Sequence, residues 1–402
     1  MSKNIDLPSY KRPVFQSVLK RLREPSPLIQ VLLGPRQVGK TTLAKQLCSE
    51  IKVSHIYASA DGIAPQDGDW IEQQWNRALS KLNQEKDCLL VIDEIQKIKN
   101  WSEHVKALWD THLGKKQLKV LLLGSSQLLL HKGLTESLAG RFELIPITHW
   151  TYKESTDGFG LSFDEYIFFG SYPGSYKFIK DVDRWKNYIK QSLIETTLSK
   201  DILLTNRIDK PALLRQVFEL GCLYSGKILS FTKMLGQLQD AGNTTTISHY
   251  IHLLAQAGLL IGLNKYAGDK ARQRSSSPKL QVYNNALLTA QSEESYEEAR
   301  KNSELWGRLT ESAVGSHIIN QSLSNEIKVF YWRGKDTEVD FVISTPNQLF
   351  AIEVKSSITN KAFKGLKAFS RKFSNAKKLV IGSHGIPIEE FLSSDLESFL
   401  NN

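Results

Sequence analysis

Residues 34–41 combine two glycines, a lysine and a threonine at a spacing that suits the binding of phosphate groups. The apolar residues 31–33 before them predict a buried parallel strand, and the pattern after them predicts a helix. In such an arrangement, backbone N–H groups surround a β-phosphate, Lys40 reaches the β- and γ-phosphate oxygens, and the Thr41 hydroxyl binds Mg²⁺. The sequence therefore predicts an ATP site formed by Gly34, Pro35, Arg36, Gln37, Val38, Gly39, Lys40, Thr41 and Thr42.

Two carboxylates follow a second predicted strand. Asp93 and Glu94 come directly after four apolar residues, which is the Walker B pattern. Asp93 would hold Mg²⁺, directly or through water, and Glu94 would polarise the water that attacks the γ-phosphate. A third buried run ends at Gly124, and we expect Ser125 to hydrogen-bond that water or the γ-phosphate. Ser126 in the same role, or an ordinary turn serine, is the alternative.

Arg141 lies at the end of a predicted helix, just before a strand-like run at residues 142–147. An arginine in this place can contact the γ-phosphate bound by a neighbouring subunit, as an arginine finger. ATP hydrolysis would then depend on assembly into a homo-oligomer. The alternative is an ion pair with a local carboxylate such as Glu143 or Glu136.

Acidic residues and a lysine recur on a predicted hairpin whose turn is at residues 345–347. Asp340 lies on the first strand, while Glu353 and Lys355 share one face of the second because side chains alternate along a strand. Two neighbouring carboxylates can bind Mg²⁺, and a lysine can orient a water. Glu311, on a predicted helix upstream, is the fourth candidate.

Three interpretations of this hairpin stay open. It could be a metal site that cleaves phosphodiesters beside a basic helix. It could have the shape of a nuclease without turnover, because a fold can outlast its chemistry. It could also be an edge hairpin whose charges are simply solvated.

The segment before this hairpin has the order of elements of a winged helix-turn-helix. Residues 211–224, 230–238 and 244–257 predict three helices, and residues 259–283 resemble a basic two-stranded wing. Many winged helices bind protein, but the charge of the wing favours DNA. The expected DNA contacts lie at the start of the third helix, on the wing and on a later basic helix: Thr244, Thr245, Lys265, Lys270, Arg272, Arg274, Lys364, Lys367 and Arg371.

Charge is unevenly distributed along the 402 residues. The net charge is +10, and residues 354–378 contain eight Lys or Arg and no acidic residue, as expected of a surface that meets a polyanion. A hydrophobic content of 41% with 23% charged residues is typical of a globular protein. Three widely spaced cysteines form neither a disulfide framework nor a zinc cluster, so we expect a cytoplasmic protein. No run reaches the roughly 18–20 apolar residues of a membrane span, and the first ten residues have no apolar signal core.

The motifs together resemble a family of prokaryotic AAA+ ATPases whose C-terminal region combines a winged helix with a restriction-endonuclease-like PD-(D/E)XK module. The similarity is carried by GPRQVGKTTL at 34–43, DEIQ at 93–96, GSS at 124–126, SLAGR at 137–141, EVDF at 338–341 and IEVK at 352–355. It implies an α/β fold class. The expected parts are a P-loop AAA+ three-layer αβα sandwich, a helical lid, a winged helix-turn-helix and a C-terminal α/β endonuclease-like domain, at residues 1–150, 151–208, 209–290 and 291–402.

The resemblance also implies ATP and Mg²⁺ as cofactors and a ring or partial ring of subunits. It places the nucleotide at Lys40, Thr41, Asp93 and Glu94, and endonuclease-like ligands at Glu311, Asp340, Glu353 and Lys355. The expected function is ATP hydrolysis by a motor or remodeller that acts on DNA. The alternative is an ATP-dependent switch that regulates a DNA- or protein-binding module without cleavage. Where the family usually has an acidic residue after the wing, this chain has Asn284 and Asn285, and we expect a looser contact there.

Overall fold

The computed structural model describes residues 7–25, 28–64, 68–112, 117–125, 137–203, 207–239, 242–267, 276–323, 327–355 and 362–400. The chain folds as two compact units, Met1–Ile147 and Thr148–Asn402. The predicted division into four segments, with boundaries after residues 150, 208 and 290, stays a prediction. Among the described residues, no helix has both the length and the apolar character needed to cross a membrane.

A five-stranded parallel sheet forms the centre of the first unit. Its strands are β1 (Ile29–Leu33), β2 (Ser54–Ser59), β3 (Cys88–Asp93), β4 (Leu118–Gly124) and β5 (Phe142–Pro146). Every residue of β1, β3 and β4 is buried, because both faces of the sheet are covered, and these strands are apolar apart from Gln30, Asp93 and Lys119. The order across the sheet is β2-β3-β4-β1-β5. The carboxyl ends of β3, β4 and β1 therefore lie side by side at one edge of the sheet.

Helices cover both faces of this sheet, since successive strand residues point to opposite faces. Leu32 packs in one core with the first two helices of the unit. Val31 and Leu33 pack in a second core with the third and fourth helices. The unit is thus an α/β fold with a parallel sheet between two helical layers. Its helices are Val14–Leu22, Lys40–Glu50, Asp69–Leu82 and Trp101–Thr111, with a 3₁₀ turn at Ile95–Lys97.

Helical segments open the second unit, from Tyr152 to Leu203, within the residues 151–208 where helices were predicted. Thr151 and Ser162 begin the first two helices with capping boxes, in which the carboxylates of Glu154 and Glu165 accept a hydrogen bond from the backbone N–H of the capping residue. A role as a lid over the nucleotide stays a prediction. The segments are Tyr152–Phe159, Phe163–Phe169, the 3₁₀ helix Pro173–Phe178, Val182–Asn187 and the π-helical stretches Tyr188–Glu195 and Thr197–Leu203.

Three helices and a two-stranded antiparallel sheet follow, where the sequence predicted them. The helices are Pro211–Leu223, Phe231–Leu235 and Thr244–Gln256, and the strands are β6 (Leu260–Leu263) and β7 (Lys279–Val282). Ser230 begins the short helix as predicted, because its side chain accepts the Lys233 N–H. Asn243 caps the third helix by accepting the Thr246 N–H at 2.8 Å.

A four-stranded mixed sheet lies in the C-terminal part of the second unit. Its strands are β8 (Lys328–Arg333), β9 (Glu338–Ser344), β10 (Leu349–Lys355) and β11 (Lys377–Gly382), in the order β11-β10-β9-β8. The predicted hairpin is confirmed: β9 and β10 are antiparallel, and Phe350 pairs with Ile343. β11 adds to the sheet parallel to β10.

Helices around this sheet supply part of its core, and one of them, Ser303–Ser322, carries the predicted site residue Glu311. Leu366 and Phe369 of the helix Ala362–Lys372 are buried on the sheet. Phe363, in the first turn of this helix, is 40% exposed, so the buried face of the helix begins at Leu366. The other helices are Ala286–Thr289, Tyr296–Lys301, Ser303–Ser322, Ile388–Ser393 and Leu396–Leu400.

Candidate functional site

The loop at residues 34–41, called the phosphate loop below, has the backbone that its glycines allow. Gly39 has a φ of 94°, and Gln37 has a φ of 63°, both in the left-handed region. A side chain at Gly34 would bring its Cβ to 1.9 Å from the Ile147 carbonyl oxygen, so only glycine fits there. The loop can therefore turn tightly out of β1 and aim its N–H groups at a phosphate.

Lys40 is buried, and its ammonium contacts the phosphate loop itself. The Nζ atom donates to the carbonyl oxygens of Gly34 at 2.8 Å and Pro35 at 2.7 Å. Val38 is buried in the core below, where its carbonyl accepts a hydrogen bond from Arg12. Lys40 is thus stored beside the loop, within reach of a phosphate. Of the other predicted residues, Pro35, Arg36 and Thr42 are half-buried and Gln37 is exposed.

A hydrogen bond joins the two predicted Mg²⁺ ligands of the first unit. Thr41 Oγ1 donates to Asp93 Oδ2 at 2.7 Å, and the Tyr57 hydroxyl donates to the same oxygen. Burial and the bond to Asp93 raise the pKa of Tyr57, so the phenol stays a donor. Tyr57 was not predicted, because its contact depends on the pairing of β2 with β3, where Ser59 lies opposite Asp93. The signal for Tyr57 as a site residue is that it lies two residues before Ser59, so that both side chains are on the same face of β2.

Glu94 is held in place by two polar side chains. Ser125 Oγ donates to Glu94 Oε2 at 3.1 Å, and the Gln96 amide donates to the same oxygen. Glu94 has a φ of 54°, an uncommon backbone for a residue other than glycine. Ser125 therefore lies where the sequence placed it, while Ser126 lies outside the described residues. Gln96 was not predicted as a site residue, although the DEIQ motif contains it.

These side chains fit a nucleotide with its magnesium ion. The hydroxyl of Thr41 and the carboxylate of Asp93 are hard oxygen donors in direct contact, which is the donor chemistry that Mg²⁺ prefers. Lys40 adds the positive charge that phosphate oxygens require. Lys40, Thr41 and Asp93 would hold the phosphates and the ion, and Glu94 follows Asp93 at the same edge of the sheet.

Arg141 forms a two-pronged ion pair within its own chain. Its Nε donates to Asp110 Oδ1 at 2.7 Å and its second terminal nitrogen donates to Oδ2 at 3.0 Å. The predicted alternative partner Glu143 pairs with Arg21 instead, and Glu136 lies outside the described residues. The arginine-finger role stays a prediction, and it requires Arg141 to leave Asp110.

Carboxylates of the second unit, among them the predicted site residues Glu311 and Asp340, surround Lys279, which lies within the predicted wing. Lys279 of β7 is fully buried, and its Nζ lies 3.1 Å from Glu311 Oε1 and 3.5 Å from Asp340 Oδ1. Glu338 Oε1 is 4.0 Å away. Burial alone would lower the pKa of Lys279, but the charges of Glu311, Asp340 and Glu338 outweigh it and raise the pKa. The ammonium therefore stays charged among three acids. In the sequence, the indication of this burial is that Lys279 lies between the apolar residues Pro278 and Leu280.

Glu353 and Lys355 share one strand face, as the sequence predicted. Lys355 Nζ lies 2.8 Å from Glu353 Oε1, and the other oxygen of Glu353 is buried with no hydrogen-bond partner in the described part of the chain. Burial and the nearby charge of Asp340 raise the pKa of Glu353 to about 7. A carboxyl group with such a pKa is partly neutral at physiological pH.

The predicted role of Asp340 and Glu353 as metal ligands stays a prediction, and in this structure both carboxylates contact ammonium groups of the protein. Asp340 Oδ2 already accepts the Val354 N–H at 2.9 Å, and Oδ1 faces Lys279. Within the described ranges, no three His, Cys, Asp or Glu side chains are arranged to hold a metal. Lys279 and Lys355 supply the positive charge that a metal would bring.

Asn284 and Asn285 bind the turn after β7 firmly to its neighbours. Asn284 donates to Ser171 Oγ at 2.9 Å and accepts the Ser171 N–H at 3.1 Å. Asn285 donates to the carbonyl oxygens of Ile167 and Leu309, both at 2.8 Å. These bonds lie within the second unit, so the expected looser contact stays a prediction; an amide can donate as well as accept, whereas a carboxylate only accepts.

The predicted DNA contacts occupy exposed surfaces of the second unit where the structure describes them. Thr244 and Thr245 are exposed in the first turn of their helix, and Lys265 is half-buried after β6. The exposed face of the helix Ala362–Lys372 carries Lys364, Lys367 and Arg371. Lys270, Arg272 and Arg274 lie outside the described residues.

Three sequence families match successive parts of the chain. Residues 26–156 match a family described as AAA domain. Residues 160–298 and 306–390 match two domains of unknown function, DUF8612 and DUF4143. The first part of the chain is therefore an AAA-type P-loop ATPase domain, which contains the phosphate loop, Asp93 and Glu94. No curated protein matches the chain.

Solved structures share this fold. The Walker-type ATPase paby2304 of Pyrococcus abyssi matches with a TM-score of 0.50 and 14% identity, covering 70% of this chain and 95% of that one. The likeness at this identity concerns the fold alone. AMPPCP-bound DnaA from Aquifex aeolicus matches with a TM-score of 0.31 and 16% identity, over 60% of this chain and 86% of that one, which is too distant to carry an argument.

Replacing the Glu94 carboxylate tests its role in orienting water. We expect Glu94→Gln to lower the ATP hydrolysis rate about 100-fold or more and to leave nucleotide affinity unchanged, since the amide keeps the shape but loses the charge. Phosphate release and the binding of a fluorescent ATP analogue measure the two effects. Glu103→Gln, at an exposed acid of the same unit, is the matched control. Equal turnover by Glu94→Gln and this control would refute the role.

Removing the buried ammonium of Lys279 tests the carboxylate cluster. We expect Lys279→Met to lower the free energy of unfolding by about 3–5 kcal/mol, because it removes a fully buried ammonium from three partly buried acids that it neutralises. Adding Glu311→Gln should restore part of the loss. Urea unfolding followed by circular dichroism measures both, with Lys227→Met at an exposed lysine of the same unit as the control. If Lys279→Met were as stable as the control, the cluster would not depend on the ammonium.

Proposed function

We propose that this protein hydrolyses ATP in its first unit and couples the nucleotide state to DNA held by its second unit. The observation that carries the proposal is the pair of contacts Thr41–Asp93 and Ser125–Glu94 at the edge of the parallel sheet. The Thr41–Asp93 contact supplies oxygen donors for a cation, and the Ser125–Glu94 contact orients the carboxylate that would bind the attacking water. A protein that only held nucleotide would have no use for the second contact.

The residues of the phosphate loop and of β3 divide the work of hydrolysis. Lys40 exchanges the carbonyls of Gly34 and Pro35 for phosphate oxygens and neutralises the charge that develops on them. Glu94 orients the attacking water in line with the γ-phosphate, and Ser125 fixes the carboxylate in place. Mg²⁺, when bound, supplies positive charge at the β- and γ-phosphate oxygens.

DNA is the proposed partner of the second unit. The order helix, short helix, helix and β6–β7 pair is that of a winged helix-turn-helix, which supports a nucleic-acid role. Thr244 and Thr245 are exposed at the start of the third helix, where such folds contact bases or phosphates. The exposed basic face of the helix Ala362–Lys372 adds charge for a polyanion.

Cleavage of DNA is not part of the proposed function. The β9–β10 hairpin, with Asp340 on one strand and Glu353 and Lys355 on the other, supports a restriction-endonuclease-like fold for this region. The ammonium of Lys279 beside Asp340 argues against a metal there. We propose a nuclease-like shape without turnover.

The proposed coupling is tested by measuring ATP hydrolysis alone and with duplex, single-stranded or branched DNA, at two salt concentrations. We expect one form of DNA to stimulate hydrolysis several-fold at low salt and to lose its effect at high salt, because phosphate contacts weaken as salt rises. Polyglutamate of equal charge is the control polyanion. No phosphate release would refute ATP hydrolysis, and hydrolysis that no DNA changes would refute the coupling.

A nucleotide switch that works without neighbouring subunits is the second candidate, and the Arg141–Asp110 pair favours it. In a homo-oligomeric ring, Arg141 would leave Asp110 to reach the γ-phosphate of a neighbour. In a monomeric switch, the pair would stay closed in every nucleotide state. The two candidates therefore differ in what Arg141 does for hydrolysis.

Removing the Arg141 side chain distinguishes the two candidates. For the assembling ATPase we expect Arg141→Ala to lose nearly all hydrolysis but to keep ATP binding, while Asp110→Asn stays active. The ion pair is about one-third exposed, and exposed pairs contribute little to stability, so unfolding does not explain the loss. Phosphate release and sedimentation with ATP measure activity and assembly. Full activity of Arg141→Ala would favour the switch.

A further inference from the structure

A groove of about 690 Å³ in the second unit is lined by the chain after β6, the end of β8 and the end of the helix Ala362–Lys372. Backbone hydrogen bonds hold two of these segments together. The Tyr266 N–H donates to the Tyr331 carbonyl at 2.6 Å, and the Tyr331 N–H donates to the Asn264 carbonyl at 3.1 Å. The groove is therefore built on paired backbone rather than on one free loop.

Among the residues that the structure describes, four cationic side chains and no acidic side chain line the groove. Arg333, Lys335 and Lys372 are exposed, and Lys265 is half-buried. None of the four forms an ion pair with a residue that the structure describes. Elsewhere in the same unit, the arginines at 215 and 300 each pair with an acid. Arg333 lies opposite Glu338 in the β8–β9 pairing, so its charge is partly offset. The other three cations have no ion pair among the described residues, and an anion between them would reduce their mutual repulsion.

Aromatic rings form the wall between these cations. Tyr266 and Phe373 are half-buried with ring centroids 5.1 Å apart, and Lys372 Nζ lies 5.7 Å from the Phe373 ring. Trp332, also in the wall, packs edge-on against the buried Phe369. The rings are fixed by the core of the β8–β11 sheet. Half-exposed rings between cations suit a ligand that combines negative charge with flat or apolar groups.

We infer that this groove binds the phosphodiester backbone of a nucleic-acid strand. The inference deepens the proposed function and rests on it for DNA as the partner. An acidic peptide would match the four cations but would leave the rings without flat partners, whereas nucleotides carry both a phosphate and a base. Of the groove residues, only Lys265 was predicted as a contact, because the cations come from three segments that are distant in sequence.

Charge reversal in the groove of the full-length chain tests the inference. The groove variant is Lys335→Glu with Lys372→Glu, and the control is Lys180→Glu with Lys301→Glu, at exposed lysines outside the groove. We expect the groove variant to bind labelled oligothymidylate about ten-fold or more weakly, with a salt dependence shallower by about 1.4 for two lost phosphate contacts. Fluorescence anisotropy at several salt concentrations measures both, and a duplex of equal length shows which form of DNA the groove prefers. The control should bind like the parent.

The outcomes separate the groove from the wider proposal. If the parent binds DNA and the groove variant binds as the control does, the groove is not the site and the proposed function stands. If the parent binds neither form of DNA, the proposed DNA role fails together with the groove. Competition by polyglutamate or anionic vesicles as effective as that by DNA of equal charge would overturn the ligand class. Lys335→Gln with Lys372→Gln, which adds no negative charge, should show the same loss in smaller measure.

Discussion

The hydrogen bond between Thr41 and Asp93 joins the two chain segments on which the nucleotide site depends. The residues are 52 positions apart. Asp93 ends β3 and Thr41 follows the loop after β1, and strand β4 lies between β3 and β1 in the sheet. Tyr57 contacts the same carboxylate from β2, on the other side of β3. Asp93 is thus held from both sides before any ligand binds, and this limits how far a cation site can shift.

Much of the first unit could be predicted because its signals are local. A phosphate loop needs its glycines and Lys40 within eight residues, and each buried strand is a short apolar run. The residues that were missed act across strand pairs. Tyr57 meets Asp93 only because β2 pairs with β3 in one register, and single-sequence periodicity carries no register. Gln96 lay within a recognised motif, but its contact with Glu94 depends on the left-handed backbone at Glu94.

The second unit was predicted less well for the same physical reason. The order of helices and strands and the β9–β10 hairpin follow from local pattern. The partners of charged residues do not, because a count of charges along the chain cannot distinguish a buried cation from a solvated one. Lys279 was grouped with a basic stretch, yet it is fully buried among acids from a helix and from β9. The partners of Asn284 were not predicted either, because its bond to Ser171 joins residues 113 positions apart.

The cations of the second unit divide into two kinds, and this division matters more than the net charge of +10. Lys279 and Lys355 contact carboxylates at 3.1 and 2.8 Å, so their charge is used within the fold. Lys335 and Lys372 are exposed and have no such partner among the described residues, so their charge remains available. Carboxylates paired with ammonium groups attract a cation less strongly, whereas basic side chains without an ion pair still attract anions. The electrostatic character of this unit therefore depends on which lysines lie among acids in the fold, and not on how many occur along the chain.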